Sequence, residues 1–169
     1  MGKKKKNKKE KKTKVLSKEK LVNQYKLNSR QTILLFGILI ATLIFFYPVF
    51  DAEFVNWDDD KNFSENILIT SLNQDNFWLN VKEIFVTPVI GNYNPLPIFT
   101  FALEQKIFGL DQPVYWHLNN LILHLLCIVL VFLIGRRMKL STAATVLLAG
   151  LFAIHPMRVE SVAWITERK

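Results

Sequence analysis

Cysteine is almost missing from this chain: its 169 residues include one, Cys127, so no disulfide can form within it. Cys127 lies in an apolar run, where it reads as a small buried hydrophobe. Alternation of apolar and polar residues at period two is missing as well, so no segment reads as a strand and the order expected is helical. Charge is absent from residues 33–50, eighteen positions in succession. No Ala-x-Ala site closes that run, which ends in Tyr47-Pro48, and the basic segment before it is too long for a secretory leader. Together these exclude a cleaved signal peptide and predict an uncleaved anchor.

What is present is half hydrophobic and carries a net charge of +8, unevenly spread. Residues 1–31 hold thirteen Lys/Arg against two Glu, whereas residues 51–117 hold ten Asp/Glu against three Lys. The overall basicity is therefore no signature of a nucleic-acid partner, and none is expected. The low-complexity lysine tail predicts disorder, attraction to anionic lipid headgroups and enforcement of membrane topology.

At about 1.5 Å per residue, residues 33–50 nearly cross a hydrocarbon core of roughly 30 Å. Residues 118–135 form a second run, interrupted by Asn119, Asn120 and His124. Residues 140–154 form a shorter third, ending at His155-Pro156, which reads as a span or as a buried helix. Its Ala143, Ala144, Ala149 and Gly150 suit close helix packing. The distribution of Lys and Arg sets one orientation: tail cytoplasmic, 51–117 outside, Arg136-Arg137-Met138-Lys139 inside, and 155–169 outside. The chain thus divides into a basic tail, 1–31, and a membrane domain, 32–169.

The outer segment predicts two short helices. Phe77, Val81, Ile84 and Phe85 share one helical face, with Asp75 as cap, Lys82 and Glu83 on the other side, and Trp78 at the membrane interface. A second helix is expected from Pro97 to Phe108, with Gly109 just past its end. Thr87-Pro88 through Asn94-Pro95 reads as a turn-rich loop between them. The fold class is all-α: a polytopic membrane protein with three transmembrane helices and an outer cap of short amphipathic helices.

Three groups could carry chemistry. Asp58, Asp59 and Asp60 crowd just outside the first span, beside Phe54 and Trp57. Such carboxylates can serve as general base to an acceptor hydroxyl, or hold a divalent cation, the one cofactor the chain suggests; a solvated acidic turn is the alternative. His117, Asn120 and His124 share a face at the outer end of the second span. They read as contacts to a charged headgroup or as interhelical hydrogen bonds. Past the third span come His155, Arg158 and Glu160; Arg158 can pair with phosphate, and an ordinary helix end is the alternative. The topology places all three groups on one side of the membrane. Asn62-Phe63-Ser64 also fits a glycosylation sequon.

At these residues a resemblance emerges. Phe54-Val55-Asn56-Trp57-Asp58-Asp59 followed by Glu65-Asn66 resembles the first lumenal loop of the transmembrane and tetratricopeptide-repeat-containing O-mannosyltransferase family, and more closely its bacterial relatives. Gly91-Asn92-Tyr93-Asn94-Pro95-Leu96, the stretch His117-Leu118-Asn119-Asn120-Leu121 to His124, and His155-Pro156 through Glu160 to Lys169 are similar to three later motifs, in the same order. The resemblance implies part of a GT-C fold, a polyprenyl-phosphate sugar donor, a protein or other hydroxyl acceptor, and Asp58 or Asp59 as base. Arg158 stands where eukaryotic members often have a second histidine, and Asn94 where they have arginine.

The expectation from the sequence is therefore the N-terminal part of an inverting membrane glycosyltransferase. It would move a hexose, mannose by the resemblance, and be inactive as this piece alone. The family carries more spans and a tetratricopeptide array, and no 34-residue repeat occurs here. Asp58 and Asp59 would be catalytic, and the sole candidates for a metal; His117, His124, His155, Arg158 and Glu160 would bind substrate or phosphate. The membrane expected is a bacterial plasma membrane, with the endoplasmic reticulum as alternative. The rival function is a non-enzymatic membrane scaffold binding partner proteins; a transporter subunit using His124 is a further one.

Overall fold

The structure is a computed structural model that describes residues 27–54, 65–70, 76–89, 91–109 and 112–168. Its first helix, α1 (Ser29–Phe45), starts in a capping box. The Asn28 side chain accepts from the Gln31 N–H at 2.9 Å, and Gln31 Oε1 accepts from the Asn28 N–H at 3.2 Å, satisfying two donors that helix geometry leaves over. A 3-10 turn over Tyr47–Asp51 extends it to a 23-residue apolar segment, Ser29–Asp51. The short α2 (Ile67–Thr70), α3 (Phe77–Ile84) and α4 (Pro95–Phe108) follow. Then comes α5 (Pro113–Arg137), whose 25 residues reach about 37 Å, enough to cross a bilayer.

A tight turn returns the chain into α6 (Thr142–Ile154). Lys139 takes the left-handed conformation, φ 60°, while the Leu140 N–H bonds to the Gly135 carbonyl and the Lys139 N–H to that of Arg136. This is a Schellman end with lysine at the position glycine usually fills. The Ser141 hydroxyl then accepts from the Ala144 N–H at 3.2 Å to cap α6. Gln31 Nε2 donates to the Thr142 hydroxyl at 3.3 Å, so α1 and α6 begin at the same end of the bundle, called the basic end below. The opposite end, holding α2–α4 and the start of α5, is the cap end.

Among the described residues, two helices are long and apolar enough to cross a membrane; α6 qualifies only when joined to α7 (Pro156–Ala163), with which it makes a 52° bend. The third span foreseen over 140–154 is thus one arm of a broken span or re-entrant hairpin. The break follows from Pro156, which lacks an N–H and drives His155 into extended backbone, φ −61° and ψ 134°. A last 3-10 turn, Ile165–Glu167, folds back over the cap end.

Three apolar clusters are stacked along α5. Trp116 joins Ile69, Ile84, Ile98 and Phe101 at the cap end; Leu121 meets Phe46, Val49 and Val162; Ile128 and Phe132 meet Leu35, Ala149 and Ala153 toward the basic end. The outward faces are equally apolar, including Leu118, Ile122, Leu126, Leu130 and Ile134 on α5 and Ile33, Phe36 and Ile40 on α1. Such stripes are unfavourable in water and suit lipid. The molecule is an all-α membrane fold; among the described residues the strand-like contact is one isolated bridge, Val89 with Asn92.

Several local expectations need correction. Cys127 is exposed, because it sits one residue, about 100° of helix, from the inward-facing Ile128. Ala143 and Ala144 are exposed and nothing approaches the Cα hydrogens of Gly150. Ala149, by contrast, packs as expected in the cluster with Ile128 and Phe132, and α5 and α6 also approach closely at Gly135, where an added Cβ would lie 3.2 Å from Thr145 Cγ2. Asn76 occupies the cap position of α3 but makes no side-chain capping bond to that helix, and the foreseen Asp75 lies outside the described residues. The helix expected from Pro97 begins at Pro95.

Candidate functional site

The polar groups of the cap end converge where α4, α5 and the final 3-10 turn meet. Gly109, at φ 74°, ends α4 and lets α5 turn back against it. This brings the inward face of α4 (Thr100, Phe101, Glu104) opposite Asn119 and Asn120 of α5. Arg168 enters from the C-terminal side. Its Nη2 donates to Glu104 Oε2 at 3.0 Å, its Nη1 to Glu104 Oε1 and to the Thr100 hydroxyl, and its Nε to Asn120 Oδ1 at 2.6 Å. The guanidinium also lies over the Phe101 ring, 4.5 Å from its centroid. Asn119 Nδ2 donates to Glu104, and Asn120 Nδ2 donates to the carbonyls of Trp164 and Ile165 at 3.4 and 3.3 Å.

Both members of the ion pair are withdrawn from solvent, their side chains 7% and 8% exposed. Burial pushes the Glu104 carboxyl above the ordinary carboxylate value, against the pull of Arg168 and Asn119. The pair ties together segments 64 residues apart and holds the chain end against α4. Neither Glu104 nor its partnership with Arg168 was anticipated. The available signal was the one carboxylate on a largely apolar helix, Pro95 to Phe108, whose other charge is Lys106.

The anticipated residues fall into distinct places. Asp58 and Asp59, with Asp60, lie outside the described residues. The chain enters that segment beside an open cleft of about 650 Å³, lined by Phe50, Asp51, Glu53 and Phe54 and, at the start of α5, by its cap residue Gln112 and by Pro113. His117 and Asn120 are buried, as is His124. The ring of His124 bonds through Nε2 to the Ala153 carbonyl at 2.9 Å and meets Phe46 edge-on. It also stacks on Phe152, at 5.7 Å, and the Arg158 guanidinium lies 5.3 Å from the centroid of that same ring. His124 and Arg158 are thus joined through Phe152. His155 is exposed and caps α7, its Nδ1 accepting from the Met157 N–H at 3.2 Å; Glu160 is exposed on the same helix. No group of three metal-ligating side chains occurs among the described residues.

The chain is 28% identical over 143 residues to protein O-mannosyl-transferase Tmtc1 of Drosophila melanogaster, a match covering 78% of this chain and 16% of that protein. It is 28% identical over 146 residues to human protein O-mannosyl-transferase TMTC4, covering 76% and 19%. It is 30% identical over 115 residues to human protein O-mannosyl-transferase TMTC3, covering 65% and 12%. The chain therefore spans less than a fifth of the length of these relatives. No family model matches it, and no solved structure does.

Proposed function

We propose that this chain is the N-terminal part of a membrane glycosyltransferase of the transmembrane and tetratricopeptide-repeat-containing O-mannosyltransferase family, built on part of a GT-C fold. The observation that carries the reading is sequence similarity to proteins named as O-mannosyl-transferases, across 65–78% of this chain in three of them. The donor on this reading is a polyprenyl-phosphate hexose, mannose by the relatives' names, and the acceptor a hydroxyl on a protein. The cap end faces the outer or lumenal compartment on this reading, because Arg136, Arg137 and Lys139 lie at the opposite end, where α1 begins after the Lys/Arg-rich stretch of the sequence. The relatives named above are animal proteins, which favours an endoplasmic reticulum membrane over a bacterial plasma membrane.

The chemistry is an inverting displacement. The acceptor oxygen attacks the anomeric carbon, the bond from that carbon to the phosphate oxygen breaks, and the lipid phosphate leaves with the bonding pair. Asp58 or Asp59 takes the acceptor proton. Their segment starts from the cleft bounded by Phe54 and the first turn of α5. Arg158, half-buried, and His155, exposed, stand at the surface, where they can meet phosphate charge, with Glu160 beside them. His117 and His124, the other two residues assigned to substrate or phosphate, are buried in the bundle, where His124 also ties α5 to α6 through the Ala153 carbonyl. A divalent cation, if used, would fall to Asp58 and Asp59.

The test uses the full-length protein in lipid with radiolabelled polyprenyl-phosphate mannose and glucose and a mixed peptide acceptor. Transfer that is lost in Asp58→Asn or Asp59→Asn is the expected result. Full turnover in both variants would remove the base assignment. A folded protein that transfers from no donor would leave a non-enzymatic scaffold as the better reading.

A further inference from the structure

The basic end carries a second feature, remote from the cap. The last two turns of α5 and the turn after it border an open groove of about 530 Å³, within the size range of small-molecule sites. One wall is apolar: Leu130, Leu133 and Ile134, exposed on the outer stripe of α5. The rim is cationic: Arg136, Arg137 and Lys139. Leu130 and Arg137 lie seven residues apart on one helical face, about 10 Å along the axis. The groove thus passes from hydrocarbon-like surface to concentrated positive charge within the depth of a membrane interface.

Topology alone would place lysines and arginines here, reaching for water. Arg136 departs from that pattern. Its Nε is buried and finds no hydrogen-bond partner among the described residues. A guanidinium N–H withdrawn from water without an acceptor is costly, and an anionic oxygen is the acceptor that best removes the cost. The negative helix end supplies about half a charge against the cations Arg136 and Lys139, so the rim stays positive. The Schellman turn fixes the backbone of Lys139, so that cation is presented from a defined point. The start of α1 lies at the same end through the Gln31–Thr142 contact.

We infer that this groove is a binding site for an anionic phospholipid, its phosphodiester held by Arg136 and Lys139 and the upper part of an acyl chain lying along Leu130, Leu133 and Ile134. The site is independent of the transfer reaction proposed above. It would anchor the α5–α6 hairpin at a set depth and make the stability of the bundle depend on lipid charge.

The full chain is placed in phosphatidylcholine nanodiscs with and without phosphatidylglycerol, and lipid retention is read by native mass spectrometry alongside thermal unfolding. Phosphatidylglycerol should be retained and should raise the unfolding temperature. Arg136→Gln with Lys139→Gln should weaken retention about thirtyfold, as loss of two cations at an anionic surface predicts. Lys18→Gln with Lys20→Gln, which removes equal charge from the tail, should leave retention unchanged. Arg136→Lys should weaken it less than Arg136→Gln, since charge stays while the fork is lost. Equal loss in the groove and tail variants would overturn the site in favour of diffuse surface attraction. Displacement of the lipid by glycerophosphate at millimolar concentration would overturn it in favour of a soluble phosphate ligand. The variants should unfold together in pure phosphatidylcholine; a groove variant already unfolded there would shift the test to Leu130→Gln, for which normal retention would refute the acyl wall.

Discussion

Arg168 grips Glu104 with two nitrogens, one on each carboxylate oxygen, and uses its third to reach Asn120. This clasp is buried, so its parts differ in what their loss costs. Removing Arg168 strands a carboxylate in a site that water does not reach. Arg168→Ala should destabilise the fold by about 3–5 kcal/mol, while Glu104→Leu with Arg168→Met should come back to within about 1 kcal/mol of the parent. Denaturant unfolding in detergent measures both, and a cost below about 1 kcal/mol for Arg168→Ala would show that the clasp is not formed.

The same carboxyl makes stability depend on pH. Burial raises its folded value above 4.5, the value for the free group, and Arg168 only partly offsets this. Between the unfolded and folded values the native state holds more protons, so stability is greatest below that window and falls as pH rises through it. Glu104→Gln should flatten the fall. Arg168→Met, which removes the opposing pull, should extend it to higher pH, as unfolding temperatures across a pH series would reveal.

Gly135 is set by its neighbour across the α5–α6 contact. An alanine there gains helix propensity of about 1 kcal/mol but brings its Cβ to 3.2 Å from Thr145 Cγ2. That methyl is held, because the Thr145 hydroxyl donates to the Ser141 carbonyl at 3.0 Å and its χ1 is stiff. Gly135→Ala alone should be near neutral, Gly135→Leu should cost about 1–3 kcal/mol, and Gly135→Ala with Thr145→Ser should be the most stable of the three.

Two adjacent residues of α5 should respond oppositely to truncation or replacement. Cys127→Leu, on the outward face, should change stability by no more than about 0.5 kcal/mol. Ile128→Ala, fully buried against Leu35 and Ala149, should cost about 2–5 kcal/mol. Similar costs at both positions would mean that α5 is rotated from the orientation described.

Sequence alone determined the features that depend on local composition. Uncharged runs announced α1 and α5, Pro156 announced the end of α6, and the spacing of Phe77, Val81 and Ile84 announced α3. Each reports a chain's preference for hydrocarbon or for a helical period, and neither needs a partner to be legible. The shared face of His117, Asn120 and His124 was legible for the same reason, since 3.6 residues per turn fixes it.

Only the tertiary structure decided which side of each helix faces protein and which faces lipid. In a membrane helix both sides are apolar, so composition does not distinguish buried Ile128 from exposed Cys127, or the Gly135–Thr145 contact from the alanines beside it. It also paired Glu104 with Arg168, two charges 64 residues apart. Their burial becomes tolerable only when a helix reversal at Gly109 and a broken helix at Pro156 bring them together, and no local pattern encodes that meeting.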